Sequence, residues 1–313
     1  MDIFTQYYLT ALTICALGWG VAALVALILW NMERTRALRR NDAIEEIASI
    51  VGNDAPPHYT LLDALRNRYP LSTLAEAAAC VADAVSGSRL YRVAMLAERC
   101  GVYDYFRYAA AASTSLRRAR HLALLTKFPL TRRYGPYTAG YLDDRSARVR
   151  FYAFGIQIIA EAERAIPQLA AFERRLSAHE LAELLAMLRR TTCPVVYTPL
   201  LRSESANLRM LGITLVGHFG FSDCEQQLCD ILRRNDDTAP AALYAMIAIG
   251  ANISRREVRQ LVRQLTPERR RVLCRHLASA GYSLTATSPL LAPDDRQYFE
   301  AILNSYKRRI VCS

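Results

Sequence analysis

The sequence predicts an all-α protein in which one N-terminal transmembrane helix is followed by an α-solenoid, a linear array of short helices. Three observations favour this fold class. An uninterrupted apolar segment lies near the N-terminus. Glycine (13) and proline (12) are scarce among the 313 residues, whereas alanine and leucine are abundant. The rest of the chain consists of short amphipathic segments separated by a few turn residues, a pattern that favours helices over sheets.

The apolar segment runs from Leu9 to Trp30 and carries no charge over 22 residues. At about 1.5 Å per residue, a helix of this length crosses a hydrocarbon core of roughly 30 Å. Tyr7 and Tyr8 at one end and Trp30 at the other are typical of an interfacial aromatic belt. A cleaved signal peptide is the alternative, but it would require a positive n-region, a shorter apolar run and a cleavage site of small residues. We therefore expect a retained anchor.

The charges that flank the apolar segment predict its orientation. No basic residue precedes the segment, whereas four arginines follow it: Arg34, Arg36, Arg39 and Arg40. Basic flanks stay on the cytoplasmic side of a membrane. The predicted location is therefore the inner (cytoplasmic) membrane, crossed once, with the C-terminal part in the cytoplasm and these arginines beside the lipid headgroups. Gly18 and Ala22 form a small-residue face, so a homodimer through the span is a further expectation.

Charge and cysteine content narrow the classes of partner. The formal charge is +11, nearly all of it from arginine. Such a charge suits lipid headgroups, nucleic acid or an acidic protein. Nucleic acid is not expected, because the arginines form no single dense tract and a membrane anchor does not suit a freely scanning binder. The eight cysteines include no CxxC pair, which predicts neither a disulfide framework nor a metal site.

The sequence after the anchor predicts an array of helical units. Pro56 and Pro57 end the first helix. SARVRFYAFGIQII (146–159) is echoed by SANLRMLGITLV (205–216) and, more weakly, by NDDTAPAALYAMIAIG (235–250). Self-similarity at a spacing of about 30 residues predicts a solenoid. The predicted divisions are an outer N-terminus with the span, a juxtamembrane basic helix with a linker, and the solenoid: residues 1–33, 34–58 and 59–313.

At YLDDRSARVRFYAFG (141–155) the sequence resembles the HEAT-repeat family. The residues that carry the resemblance are Leu142, Asp143, Asp144, Val149, Arg150 and Ala153. The resemblance is clearest over residues 130–255 and implies stacked helical hairpins. The resemblance also implies that acidic residues of the turn and an arginine of the following helix connect neighbouring repeats. The acidic residues are Asp143 and Asp144, and the arginines are Arg150 and Arg209. Such a resemblance predicts the fold and says little about function.

No motif for catalysis, cofactor binding or metal binding is present, and we do not expect an enzyme. Asp143 and Asp144 are adjacent, so they cannot straddle a substrate as the carboxylate pair of a glycosidase does. An acid before a helix is more simply explained by its bonds to the helix N-terminus. The five histidines are scattered, and HExxH and the glycine-rich phosphate-binding motifs are absent.

Tyrosine gives the strongest indication of a binding site. There are 17 tyrosines, concentrated between residues 89 and 141. Six candidates for partner binding are Tyr103, Tyr105, Tyr108, Tyr134, Tyr137 and Tyr141. Tyrosine and arginine are enriched at protein interfaces, although packing between helices is an equal alternative. The sequence therefore predicts a membrane-tethered cytoplasmic scaffold or adaptor for a partner protein. The alternative is a binder of an anionic polymer or lipid through an arginine-rich face.

Overall fold

A computed structural model gives the positions of residues 3–53, 59–172, 174–191 and 195–311. Side chains are described from Leu17 to Ser305, apart from residues 54–59, 173 and 192–194. This described part consists of helices and connecting turns and contains no strand, which confirms the predicted all-α class. The chain divides into two compact units, one up to Ala160 and the other from Glu161 onward.

The first unit is built from helices on either side of an alanine-rich centre. Its helices are α1 (Ile3–Gly52), α2 (Tyr59–Arg68), α3 (Leu71–Ala84), α4 (Ser88–Arg99), α5 (Val102–Ala111), α6 (Ser115–Leu125), α7 (Gly135–Ala139) and α8 (Ala147–Ala165), with a short 3-10 helix at Arg132–Tyr134. Alanines on α3 are almost fully buried: Ala75, Ala77, Ala78, Ala79 and Ala82. Because these side chains are small, α1, α4 and α5 can all pack against α3.

The C-terminal part of α1 belongs to the core of the first unit. Ala43, Ile47 and Val51, spaced four residues apart, are 0, 0 and 2 % exposed. This spacing places them on one face of the helix, and α1 packs against α3 and α4. This part of α1 thus belongs to the first compact unit, which extends to Ala160.

The preceding part of α1 is apolar and exposed on every side. Between Leu17 and Leu38 its large apolar side chains are 47 to 79 % exposed. Within the described residues, no helix is long and apolar enough to cross a membrane. The predicted span, residues 9–30, lies partly outside the described residues, because side chains are described only from Leu17 on.

The second unit begins at a break in α8. Glu161 leaves the helical region, with φ of −149° and ψ of 64°. The unit then contains a 3-10 helix (Ile166–Ala171), α9 (Ala178–Leu188), α10 (Thr198–Arg202), α11 (Ala206–Phe219), a 3-10 helix (Ser222–Cys224), α12 (Glu225–Arg234), α13 (Ala239–Ala248), α14 (Arg256–Gln264), α15 (Pro267–Ser279), α16 (Leu284–Thr287) and α17 (Pro293–Val311).

The core of the second unit lies among α11, α12, α13, α15 and α17. Leu228, Met246, Leu273 and Phe299 are fully buried in one cluster. Close approach of α10 and α11 requires a glycine, because a Cβ atom added at Gly212 would lie 2.9 Å from the Cβ atom of Leu200. Such a distance is shorter than atoms in packed interiors allow, so Gly212 fixes how closely these two helices pack.

Candidate functional site

The six candidate tyrosines fall into three different environments. Tyr103 on α5 is only 6 % exposed, and its ring lies 5.3 Å from that of Phe128 and 5.2 Å from that of Tyr134, measured between centroids. Burial raises the pKa of the Tyr103 hydroxyl well above its usual value. The expectation that Tyr103 binds a partner is therefore corrected: this side chain is part of the core, because α5 turns it toward Phe128.

Tyr105 and Tyr141 are half-buried and make local contacts. The Tyr105 ring meets the His121 ring edge-on, with centroids 6.0 Å apart. The Arg118 guanidinium lies over the Tyr141 ring, 5.3 Å from its centroid. Each of these tyrosines thus offers only part of its ring to a partner.

Tyr108 and Tyr137 are the exposed members, at 64 and 50 %. The guanidinium carbon of Arg107 lies 4.5 Å from the Tyr108 ring centroid and 4.8 Å from that of Tyr137. Arg107 also donates a 2.7 Å hydrogen bond to the Tyr108 hydroxyl, and Asp104 lies 3.7 Å from the guanidinium. Cation–π contacts of this kind hold both rings in place while their outer faces stay open to solvent.

A second arginine–tyrosine contact extends this surface. Arg133 lies over the Tyr134 ring at 4.9 Å and donates a 2.7 Å hydrogen bond to the Tyr134 hydroxyl. It also pairs with Glu98 on α4. The Tyr134 and Tyr137 rings are 6.4 Å apart. We call the set the tyrosine surface; it comprises Arg107, Tyr108, Arg133, Tyr134 and Tyr137.

The predicted repeat ties form a second group of residues, and Asp144 is at its centre in the first unit. One Asp144 carboxylate oxygen accepts a 2.8 Å hydrogen bond from the Ser146 backbone N–H, and the other lies 2.7 Å from Arg118. The Ser146 hydrogen bond and the Arg118 charge outweigh desolvation and lower the pKa of Asp144. Arg150 donates to the backbone carbonyl of Asp144 at 2.7 Å. Asp143, by contrast, is exposed.

The same arrangement recurs around Arg209 in the second unit. Arg209 is 6 % exposed and donates 2.8 Å hydrogen bonds to the carbonyls of Ser203 and Glu204. Its other terminal nitrogen lies 2.7 Å from Asp236. Burial alone would raise the pKa of Asp236, but hydrogen bonds from Thr238 and the charge of Arg209 lower it.

These contacts belong to a pattern that the sequence did not reveal. Five arginines are each the fourth residue of a helix and donate to the backbone carbonyl five residues earlier, in the loop before that helix: Arg118, Arg150, Arg209, Arg270 and Arg296. We call them the loop arginines. Three also bind an aspartate that lies 25 to 27 residues further on: Asp144, Asp236 and Asp295. The signal in the sequence is this pair of spacings.

The four arginines after the apolar segment lie at the junction between exposed and packed parts of α1. Arg34, Arg36 and Arg39 are exposed, and Arg40 is half-buried. The Arg34 guanidinium lies 5.5 Å from the centroid of the Trp30 ring. Gly18 and Ala22, further toward the N-terminus, are exposed.

The remaining chemical features are possible metal-binding clusters and the cysteines. No group of three or more His, Cys, Asp or Glu side chains that could hold a metal ion occurs among them. Cys100, Cys224, Cys229 and Cys274 are buried. Burial raises the pKa of Cys224 and of Cys274 to about 11. Since the thiolate is the reactive form, burial keeps these two thiols mainly in their protonated, less reactive form at neutral pH.

Fold and contacts together define an all-helical protein of two compact units, with loop arginines at helix starts in both. No protein-family model, curated protein or solved structure matches the chain. The resemblance to HEAT repeats therefore rests on the residues that carry it.

Proposed function

We propose that this chain is a membrane-tethered cytoplasmic scaffold or adaptor that holds a partner protein through the tyrosine surface. The observation that carries the proposal is the stacking of Arg107 between two exposed tyrosine rings at 4.5 and 4.8 Å. Tyrosine offers a large contact area with few rotatable bonds. Rings that are already fixed lose little entropy on binding, so more of the contact energy becomes affinity. This role requires no catalytic residue, metal or cofactor.

The charge of the tyrosine surface favours a partner segment with carboxylates. Arg107 pairs with Asp104 and Arg133 pairs with Glu98, and the neighbouring Arg132 adds a third, exposed arginine. When a guanidinium group stacks on an aromatic ring, the N–H groups at its edge can still donate hydrogen bonds to a planar acceptor such as a carboxylate. We therefore propose an acidic, aromatic-containing segment of a protein as the bound element.

The exposed apolar part of α1 supports a membrane tether. A helix that is apolar on all sides needs lipid or other protein around it, and an exposed apolar stretch of this size marks a surface that is normally covered. We propose that residues 9–30 cross the inner membrane once. The arginines from Arg34 to Arg40 would then lie at the cytoplasmic face.

A HEAT-type architecture is part of the same proposal. The three loop arginines that bind an aspartate, Arg118, Arg209 and Arg270, would act with that aspartate as ties between successive helical hairpins. Repeat architectures build long surfaces from neighbouring units, and such surfaces suit protein docking.

A second candidate function, binding of an anionic polymer or lipid, is favoured by α14. Arg256, Arg259 and Arg263 are exposed and follow the spacing i, i+3, i+7, which places them on one face of the helix. Retention on heparin would distinguish the two functions. Arg256→Gln/Arg259→Gln/Arg263→Gln should abolish salt-sensitive retention only if this second function holds.

The proposed function is tested by purifying the tagged full chain from its own cells in mild detergent and quantifying co-purified proteins. Tyr108→Ala/Tyr137→Ala should lose one protein that the unaltered chain retains. Tyr91→Ala is the matched control, because Tyr91 is 57 % exposed and lies on α4 outside the tyrosine surface. Equal recovery of that protein with the double variant would contradict the proposal.

A further inference from the structure

A basic cleft lies where α1 enters the body of the first unit. It has a volume of about 570 Å³ and is formed by α1 and the end of α2 together with the turn that follows. The lining residues are Arg39, Asp42, Arg66, Asn67, Arg68, Tyr69 and Pro70. Three arginines thus share the cleft with one aspartate.

Two of these arginines keep their charge free for a ligand. Arg68 lies 3.1 Å from Glu46, which also accepts a 2.9 Å hydrogen bond from the Tyr69 hydroxyl. Arg39 and Arg66 are exposed and have no ion-pair partner within the part of the chain that the structure describes. The cleft therefore presents two unpaired guanidinium groups beside the Asn67 amide, a donor set suited to phosphate oxygens.

With residues 9–30 in the membrane, as proposed above, the position of the cleft along α1 favours a lipid headgroup as the source of the phosphate. Arg39 follows Trp30 by nine residues, or roughly 13 Å of helix. Headgroups extend roughly 5 to 8 Å beyond each side of the hydrocarbon core. Helical side chains point back toward the N-terminus, which here is the direction of the apolar segment. A long arginine side chain can therefore reach the headgroup layer.

We propose that this cleft binds the phosphate group of an anionic lipid in the cytoplasmic leaflet. The inference rests on the proposed membrane tether, because the tether brings the cleft to the headgroups. Guanidinium groups bind phosphate through paired hydrogen bonds, and basic clefts beside membrane helices bind such headgroups. Binding would fix the first unit against the membrane and so orient the tyrosine surface for its partner.

The test titrates the purified full chain, in neutral detergent, with short-chain phosphatidylglycerol and counts bound lipid by native mass spectrometry. Phosphatidylglycerol should bind, and phosphatidylcholine of the same chain length should not. Arg39→Gln/Arg66→Gln should weaken binding about 25-fold, at about five-fold for each arginine. Asp42→Asn should strengthen it, since it removes the negative charge that lines the cleft.

Arg34→Gln/Arg36→Gln is the matched control, because it removes the same number of positive charges, here both from α1, without touching the lining of the cleft. An equal loss in both double variants would show diffuse attraction to anionic lipid and overturn the proposal. Competition by inorganic phosphate at the same concentration as the lipid would also overturn it, because the lipid would then not be required. An unchanged melting temperature confirms that each variant is folded.

A separate experiment tests the membrane tether itself. Extraction of cell membranes with alkaline carbonate should leave the unaltered chain in the pellet. Release into the supernatant would contradict the tether, whereas the lipid titration in detergent reports on the cleft whether or not the chain is retained.

Discussion

Arginine side chains bind the loops in both units of this protein. Each loop arginine reaches back from the first turn of its helix and donates a hydrogen bond to a backbone carbonyl of the preceding loop. Backbone carbonyls need such partners wherever the chain folds away from water. A guanidinium group can bond a carbonyl and a carboxylate at once because its donors form a fixed fork. Lysine, a point charge with no such fork, could not make both contacts with the same geometry.

Asp144→Ala should loosen the loop that precedes α6. The change removes the Arg118 ion pair and the Ser146 hydrogen bond, and leaves a largely buried guanidinium without its acid, at a cost of about 1–3 kcal/mol. Hydrogen exchange of the amides around Arg118 in the full chain should accelerate about 5- to 150-fold. Asp143→Ala, an exposed neighbour, is the control, and equal acceleration in both variants would contradict the assignment of the tie to Asp144.

Acid should destabilise the second unit in a defined range of pH. Ser177 and Glu180 form a capping box at the start of α9, and Glu180 also binds Arg174. The Arg174 hydrogen bond is the main reason that the pKa of Glu180 falls from 4.5 to about 2. Because the folded pKa is the lower one, the stabilisation is present above pH 4.5 and is lost as the pH falls toward 2.

The measurement for this prediction is the melting temperature of the full chain between pH 6 and pH 2.5. Glu180→Gln should lower the melting temperature at pH 6 and flatten the decline below pH 4.5. A decline as steep as that of the unaltered chain would show that Glu180 does not carry this acid sensitivity.

At the scale of secondary-structure elements, composition and the spacing of apolar residues predicted the helices. They did not predict which side chains become buried when the helices pack together. Pro56 and Pro57 were predicted to end the first helix, and α1 ends at Gly52, shortly before them. The burial of Tyr103 could not be predicted, because it depends on Phe128, which is distant in sequence and reaches Tyr103 only after α5 and α6 pack together. Arg118 and Arg270 were missed as ties because no repeated sequence surrounds them.

The close contact of α10 with α11 allows a prediction about the stability of the second unit. Gly212→Ala would bring a Cβ atom to 2.9 Å from Leu200 Cβ and 3.1 Å from the Leu201 backbone nitrogen. Neither atom can move without its helix, so the change should destabilise the second unit by about 1–3 kcal/mol. Gly140→Ala is the control, because no atom lies within 4 Å of its added Cβ. The measurement is the free energy of unfolding in denaturant. An equal change in both variants would contradict this account of the packing.

At the scale of the whole molecule, each surface has a different proposed role. The exposed apolar part of α1 would lie in lipid, the basic cleft would bind a headgroup, and the tyrosine surface would bind a protein. Sequence alone predicted which tyrosines to consider, but it could not separate Tyr108 and Tyr137 from Tyr103, because exposure is decided by packing. The central claim is that a partner protein binds at the tyrosine surface, and it is therefore tested at Tyr108 and Tyr137.

The most direct test places a photocrosslinking amino acid at position 108 or 137 of the full chain in its own cells. Illumination should give an adduct with the same protein from both positions, recovered in the membrane fraction. Position 91, which is equally exposed but lies outside the tyrosine surface, should give no such adduct. No adduct at positions 108 and 137, or the same adduct from position 91, would contradict a scaffold that binds its partner through the tyrosine surface.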